Sequence, residues 1–322
     1  MSGDVSGGPY AIVQTPLSGR PWLAEVEVTT ALATALIESQ CAALAPVRLE
    51  SMGAGWDNTA YLVNGEWVFR FPRRTIAVPL LETEGRVLPA LAPRLPCPIP
   101  TPVWFGRPDA GYKWPFLGYR RLEGHVASDM DLDDAARAAL ALPVARFLRA
   151  LHDVPLAETQ AWGVPPDAFG YLDGARLERL ARPALADLVA RGTLADAGPW
   201  LDVLEAGLAA LPLGGELAVV HGDFYSRHIL VDSGGRMSGV IDFGDLHLDH
   251  PAVDLSVVWS VLPPPARAGF FAIYGEVDGR TRAAARLRAL TSGLAQEAYG
   301  RDVGDAKIAR EGVLALHSLV AE

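Results

Sequence analysis

The strongest restriction on the fold is a change of hydrophobic pattern along the chain. Residues 47–74, VRLESMGAGWDNTAYLVNGEWVFRFPRR, alternate apolar and polar side chains as half-buried strands do, and Asn64-Gly65 is typical of a hairpin turn. Beyond residue 130, apolar residues recur mainly at helical spacing. The helical stretches are 131–152, 174–192, 196–211, 252–262 and, with a break, 280–321. We therefore expect an α+β protein in which a mainly β half precedes a mainly α half.

Further elements complete the N-terminal half. Residues 26–44 have helical periodicity, with Thr29 or Thr30 available to cap the start, and a second helix is expected around 80–92. The prolines of PCPIPTPVWFGRP forbid helix and predict an extended chain, and WPFLGYRRLEG is typical of a strand followed by a glycine turn. Residues 1–21, rich in Gly, Ser and Pro, predict a flexible arm.

Composition places the chain among ordinary globular proteins. Of its 322 residues, 50% are hydrophobic and 20% are charged, and the formal net charge is −10. Nucleic acids and anionic membranes favour proteins with a basic face, so we expect neither partner, whereas a cationic partner is compatible. Cys41 and Cys97 are too few for a disulfide framework, and the pattern contains neither an export signal nor a membrane span. We expect a cytoplasmic protein.

The titratable side chains concentrate between two apolar runs. In VVHGDFYSRHILVD, residues 219–232, a strand-like run delivers His221, Gly222 and Asp223 into a loop before the chain returns to strand. We expect these two runs to pair. A further apolar run, GVID, carries Asp242 to a second loop, DFGD. Two carboxylates at the ends of adjacent strands can share a divalent cation and a phosphate-bearing substrate, so the two loops predict a site.

The loop HGDFYSRH resembles the catalytic loop of the aminoglycoside and macrolide phosphotransferases, which are relatives of protein kinases. The resemblance implies a bilobal protein-kinase-like fold in which Asp223 is the catalytic aspartate. His228 stands in the place of the metal-binding asparagine, and Asp242 in that of the metal-binding aspartate. LDHPAVDL is similar to a D-P-x-x-D-L stretch of the family, in which Asp254 would brace the catalytic loop, and His221 would support it.

The resemblance extends from about residue 50 to about residue 260, and it also implies a nucleotide site. SMGAGWDNTAYLV occupies the place of the nucleotide-covering loop, where Gly53, Gly55 and Asn58 would lie against phosphate oxygens. Arg70, in WVFRFPR, replaces the usual lysine, and its guanidinium can still bind phosphate oxygens bidentately. Glu84 would be the carboxylate partner of Arg70. Alternatively, SMGAGWDN is an ordinary glycine turn and Arg70 is a solvated side chain of an alternating strand.

YRRLEG occupies the place of the hinge between the lobes, where Tyr119 and Arg121 would hold the adenine edge with their backbone. We place the nucleotide-binding lobe at 22–122, and the helical lobe with the catalytic loop and the acceptor site at 123–322. Asp245 and Asp249 either line the acceptor site or belong to a solvated face.

The resemblance implies a small-molecule kinase. Such an enzyme transfers the γ-phosphoryl group of ATP or GTP, with Mg²⁺, to an acceptor hydroxyl, and a macrolide or aminoglycoside antibiotic is one candidate acceptor. Choline, an amino-acid alcohol or a sugar would make it a metabolic kinase instead. Two other classes stay open: a nucleotide-binding pseudokinase-like module, and a hydrolase whose metal cluster would consist of His221, Asp223, His228 and Asp242.

Overall fold

The computed structural model describes residues 23–321, so the predicted arm at 1–21 lies outside the described residues. The first lobe is built on a five-stranded antiparallel sheet of order β1-β2-β3-β5-β4. Its elements are α1 (Thr30–Gln40), β1 (Leu49–Ala54), β2 (Asn58–Val63), β3 (Trp67–Pro72), α2 (Ala77–Leu91), β4 (Pro102–Gly106) and β5 (Phe116–Arg120). The predicted mainly β N-terminal half is confirmed.

Local chemistry explains these bounds. Asn64 and Gly65 have φ of 54° and 71°, the left-handed conformation that the hairpin between β2 and β3 requires. The predicted start of α1 at residue 26 is four residues too early, because Thr29 is the N-cap and its hydroxyl accepts a hydrogen bond from the Leu32 amide. α2 begins at Ala77, so Pro79 stands in the first turn, where proline is tolerated.

The second lobe is mainly helical, as predicted. Its helices are α3 (Asp134–Ala139), α4 (Ala141–His152), α5 (Leu156–Ala161), α6 (Gly174–Ala190), α7 (Gly198–Ala210), α8 (Ala252–Leu255), α9 (Val257–Ser260), α10 (Pro264–Tyr274), α11 (Gly279–Val303) and α12 (Ala306–Val320). The break before α12 lies at Gly304, whose φ is 75°. α5 and α10 were not predicted. In α10 the prolines that suggest a break occupy the first turn, where their missing amide hydrogens cost nothing.

Five short strands hold the loops of the second lobe: β6 (His125–Val126), β7 (Ala218–Val220), β8 (Ile229–Val231), β9 (Met237–Val240) and β10 (His247–Asp249). The predicted pairing of the runs on either side of the HGD loop is wrong. β7 pairs with β10, while β8 lies between β6 and β9. Both edges of β8 are therefore occupied, and the loops carrying Asp223 and Asp242 leave two different sheets.

Two large apolar clusters form the core of the protein, and the larger one spans both lobes. One cluster joins α1 to the five-stranded sheet through fully buried aromatic rings that include Phe69, Phe71 and Phe116. The larger cluster joins the helices of the second lobe to Val87, Leu88 and Leu91 of α2, and it includes Phe147, which stacks on Phe224 of the HGD loop. Within residues 23–321, no helix is both long enough and apolar enough to cross a bilayer.

Candidate active site

The HGD loop is fastened from below by a fully buried carboxylate. Asp254, in α8, accepts hydrogen bonds from the backbone amides of His221 (2.8 Å) and Gly222 (3.0 Å), as the resemblance implies. His152 donates from Nε2 to the same carboxylate at 3.1 Å, and its Nδ1 lies 2.8 Å from the Tyr274 hydroxyl. Burial alone would raise the pKa of Asp254, but the hydrogen bonds from His152 and from the His221 amide outweigh burial and lower it. An ionised Asp254 therefore fixes the loop.

His221 is a supporting residue in this geometry. Its Nε2 donates to the Ile241 carbonyl at 3.0 Å, and its Nδ1 accepts from the Asp223 amide at 3.3 Å. The ring is completely buried, and burial lowers its pKa, so the neutral form is favoured. Because both nitrogens have partners, His221 cannot join a metal cluster without losing a bond that ties the two loops together. This geometry disfavours the hydrolase alternative.

Gly222 is required by the close approach of the second loop. Its φ is +88°, and a Cβ atom there would lie 2.2 Å from the carbonyl oxygen of Asp245. Only glycine avoids both the backbone strain and the collision. The HGD and DFGD loops are thus packed backbone against backbone.

His228 and Asp242 converge across the two loops. The Nδ1 of His228 donates to the Asp223 carbonyl at 2.6 Å, and its Nε2 lies 3.5 Å from Oδ2 of Asp242. A neutral ring that donates from Nδ1 presents the lone pair of Nε2, so a nitrogen and a carboxylate oxygen face one another as two metal ligands would. Asp242 has a φ of 63°, a strained conformation for a residue other than glycine, and such strain is concentrated at functional sites.

The Asp223 carboxylate lies at the mouth of this arrangement, with 32% of its side chain exposed. Its Oδ2 is 3.8 Å from Nδ1 of His228, and its Oδ1 is 3.8 Å from the Arg288 guanidinium. The carboxylate is therefore accessible, with His228 beside one oxygen and Arg288 beside the other.

Arg70 joins the two lobes electrostatically. Its guanidinium donates to Glu84 of α2 at 2.5 Å and to Asp242 at 2.7 Å, and the side chains of Arg70 and Glu84 are almost wholly buried. Burial, only partly offset by Arg70, raises the pKa of Glu84 to about 7. For Asp242, burial opposes ionisation, but the charge and hydrogen bond of Arg70 outweigh it and lower the pKa to about 2. The predicted pairing of Arg70 with Glu84 is present in the structure.

The predicted nucleotide-covering loop, here called the glycine loop (residues 53–58), joins the end of β1 to the start of β2. Gly53 has a φ of +99° at an irregularity of the β1–β2 register, and a Cβ there would meet nothing within 4 Å. The amide of Gly55 donates to the Asn58 carbonyl at 3.0 Å, so this donor already closes the turn. Within residues 23–321, Oδ1 of Asn58 is buried without a hydrogen-bond partner. Trp56, at the loop tip, packs 5.1 Å from the Tyr299 ring of α11, so the loop reaches the second lobe.

At the hinge the structure restricts which backbone groups are available. Tyr119 is a buried residue of β5, paired with Val68 and Pro102 in the sheet. The amide of Arg121 donates to the Glu66 carbonyl at 2.8 Å, so it is not a free donor for a base. In the described part of the chain, the next amide, that of Leu122, has no backbone partner.

Four residues around these loops were not predicted as site residues: Asp57, Tyr171 and Arg288, which lie around the cleft between the glycine loop and the HGD and DFGD loops, and His152, which lies beneath the HGD loop. Asp57 pairs with Arg74 at 3.0 Å, and burial, together with Asp242 and Asp223, raises its pKa despite that pair. His152 and Arg288 reach the loop from helices distant in sequence, and Tyr171 precedes α6, so no local spacing identifies them. For Asp57 a signal exists in its position beside Asn58, within the glycine loop. Asp249, the other residue that was left open, bonds its own neighbours His247 and His250.

A family model described as the phosphotransferase enzyme family matches residues 48–290. The match covers most of the chain, which therefore belongs to this family, and the predictions of a kinase-like fold and a phosphotransferase are confirmed. An aminoglycoside 2′-phosphotransferase-IIIa solved with GDP is similar in structure, with a TM-score of 0.68 and 26% identity over 91% of this chain and 99% of that chain. A macrolide 2′-phosphotransferase type I has the same fold, with a TM-score of 0.57 and 23% identity over 89% of this chain and 97% of that one. The uncharacterized protein YcbJ of Bacillus subtilis (strain 168) is 25% identical over 226 residues, which are 66% of this chain and 69% of YcbJ.

Proposed function

We propose that this phosphotransferase moves the γ-phosphoryl group of ATP or GTP to a hydroxyl group of a small molecule. The observation that carries the proposal is the convergence of Arg70, Asp242 and His228 at one end of the cleft with the accessible Asp223 carboxylate beside them. Phosphoryl transfer requires positioning and charge neutralisation more than covalent catalysis, and these groups are arranged for both. The similarity to an enzyme solved with GDP supports a nucleotide as the donor.

We assign the nucleotide to the lobe at 22–122 and the acceptor to the lobe at 123–322. Arg70 would bind the α and β phosphates while Glu84 holds its second nitrogen, as the 2.5 Å pair indicates. The bond from Arg70 to Asp242 would then be exchanged for a phosphate oxygen. Gly53, Gly55 and Asn58 would cover the phosphates, and the hinge at Tyr119 and Arg121 would receive the base, with the Leu122 amide as its donor.

The metal ligands in this proposal are Asp242 and His228. Their facing oxygen and nitrogen, with Nδ1 of His228 held by a carbonyl, fit a divalent cation. Mg²⁺, when bound, would neutralise phosphate charge. Asp223 would orient the acceptor hydroxyl and accept its proton, a role that its exposure allows. A cytoplasmic location, and the absence of nucleic-acid and membrane partners, remain predictions from composition.

The proposal is tested by incubating the protein with ATP or GTP, Mg²⁺ and a panel of aminoglycosides, macrolides, choline, amino-acid alcohols and sugars. We expect one acceptor class to gain the mass of a phosphoryl group. Phosphorylation of choline, an amino-acid alcohol or a sugar would identify a metabolic kinase. Phosphorylation of an aminoglycoside or a macrolide would identify an antibiotic kinase. Nucleotide binding without any phosphorylated acceptor would instead support the pseudokinase-like alternative.

Replacement of His228 tests the metal assignment. His228→Ala should require more Mg²⁺ for half-maximal activity, by about tenfold or more, because loss of a metal ligand or its support typically costs 10–100-fold. His228→Asn should stay active, since an amide oxygen suits Mg²⁺ better than imidazole does. Mg²⁺ titrations of both variants and the parent provide the measurement. An alanine variant with the Mg²⁺ requirement of the parent would remove His228 from the metal site.

The pH dependence of acceptor binding tests whether the acceptor is cationic. Burial and the nearby Asp223 raise the pKa of Asp245 to about 7, so this carboxyl is neutral below that pH and negative above it. The acceptor KM of a cation with constant charge should therefore fall as pH rises through about 7, and Asp245→Asn should flatten that fall. A pH-independent KM for such a cation would contradict this role. Tyr171 donates to Asp245 at 2.6 Å, and the charges of Asp223, Asp57 and Asp242 add to the rise of its pKa.

A further inference from the structure

Arg288 of α11 reaches the catalytic loop from the helical side. It is only 9% exposed, and its Nη2 donates to the Gly222 carbonyl at 3.2 Å. The same nitrogen lies 3.8 Å from Oδ1 of Asp223. Arg288 is thus a buried cation next to Asp223, the carboxylate proposed as the base, and it is hydrogen-bonded to the backbone of Gly222, the preceding residue.

The Tyr171 ring holds the Arg288 guanidinium in place. The guanidinium carbon lies 4.6 Å from the centre of that ring, within the range of a cation–π contact. His247 stacks at 5.1 Å, nearly parallel to the Tyr171 ring, and the Tyr171 hydroxyl donates to Asp245 at 2.6 Å. Because Tyr171 is itself fixed by these two partners, it is a rigid platform for Arg288.

The surroundings of Asp223 show why a cation is needed there. Asp242, Asp245 and Asp57 lie near Asp223; burial raises the pKa of Asp245 and of Asp57, and the charge of Asp223 adds to both shifts. Arg70 is paired with Glu84 and Asp242, at the nucleotide side. Arg288 supplies positive charge at the acceptor side. Within residues 23–321, its Nε is buried without a hydrogen-bond partner, so the guanidinium is held by its terminal nitrogen and by the aromatic face.

We propose that Arg288 is a positioning residue for the base: anchored on the Gly222 carbonyl, its charge, 3.8 Å away, orients one oxygen of the Asp223 carboxylate, while the other oxygen is directed toward His228 and the acceptor hydroxyl. This inference rests on the proposed function. The Tyr171 ring keeps Arg288 in the conformation that does so. A guanidinium is suited to this place because it stacks on an aromatic ring and donates from its edge at the same time.

The test compares Arg288→Met and Arg288→Lys with the parent, using an acceptor that the parent phosphorylates. Methionine keeps the length and the apolar contact with Tyr171 but removes the charge. We expect kcat to fall by about 10²-fold, the scale on which a small misplacement of a catalytic group acts, while nucleotide KM stays near that of the parent. Lysine should recover part of kcat, because it restores the charge without the planar fork.

Arg282→Met is the matched control. Arg282 lies on the same helix and also stacks on an aromatic ring, 4.6 Å from the centre of Phe271, but that ring is not in the cleft. The kcat of the Arg282→Met variant should equal that of the parent. Tyr171 offers a second pair: Tyr171→Phe keeps the ring and its stack on His247 and should lower kcat less than Tyr171→Leu, which removes the ring and should lower kcat as Arg288→Met does.

The outcomes separate this inference from the proposed function. A parent that phosphorylates no acceptor contradicts the proposed function and overturns the positioning role with it. An active parent with an unchanged kcat in Arg288→Met overturns the positioning role. If Arg288→Met does not fold, Tyr171→Leu and Arg288→Lys decide: folded variants with the kcat of the parent overturn the role, and a selective loss of kcat supports it.

Discussion

Asp223→Asn is expected to lower phosphoryl transfer by about 10²-fold or more and to leave nucleotide affinity almost unchanged, because a positioned base typically contributes 10²–10⁴-fold. The amide has nearly the shape of the carboxylate, so the flanking contacts at 3.8 Å to His228 and Arg288 do not force the loop to move. It cannot, however, accept the proton of an acceptor hydroxyl. The loss should therefore appear in kcat, with little change in nucleotide KM.

The matched control is Asp202→Asn, an exposed aspartate of α7 outside the cleft, which should behave as the parent does. Steady-state kinetics with varied nucleotide and varied acceptor, together with direct nucleotide binding, provide the comparison. If Asp223→Asn turned over at a near-normal rate, the base would have to be another group. If it lost nucleotide binding as well, Asp223 would belong to the nucleotide site.

Of the substitutions proposed here, Arg70→Ala should cause the largest loss of unfolding free energy and the largest rise in nucleotide KM. Removing the guanidinium leaves Glu84 buried, with 3% of its side chain exposed, opposite Asp242 and without a cation between them. Breaking a buried pair in this way typically costs about 3–5 kcal/mol of unfolding free energy. A large rise in nucleotide KM is also expected, because the proposed phosphate contact is lost.

Arg70→Lys should restore part of both quantities, since an ammonium group supplies the charge but lacks the fork that joins two carboxylates. Arg120→Ala is the control: Arg120 of β5 pairs at 2.8 Å with Glu66, in the turn before β3. Both side chains are exposed, and such a pair contributes about 0–1 kcal/mol. Urea unfolding and nucleotide titration measure the two effects. A rise in acceptor KM alone would show that Arg70 does not contact the nucleotide.

Periodicity predicted which segments are helix or strand better than it predicted how they assemble. The hairpin of β2 and β3 could be predicted because its turn residues and both strands are contiguous in sequence. The pairing of β7 with β8 was wrong because alternation identifies a strand but not its partner, and β10, which pairs with β7, is only three residues long. α10 was missed because three consecutive prolines indicate a break, although two of them begin the helix.

In the site, too, residues of short sequence motifs could be predicted, whereas residues that only tertiary packing brings together could not. Asp223, His228 and Asp242 stand in short motifs, so the resemblance could place them. Arg288 approaches Gly222 across a separation of 66 residues, and His152 approaches Asp254 across 102. No spacing rule connects residues on different helices of a packed lobe. Their contribution follows from tertiary packing, which only the structure provides.

We propose that this cleft transfers a phosphoryl group from a nucleotide to an acceptor hydroxyl. The most direct measurement follows nucleoside diphosphate and phosphorylated acceptor in the same reaction, with the parent protein, Mg²⁺ and each acceptor of the panel. We predict that the two products form in equal amounts and that diphosphate production rises when the acceptor is added. Release of inorganic phosphate at a rate that no acceptor changes would contradict the claim and indicate a hydrolase instead.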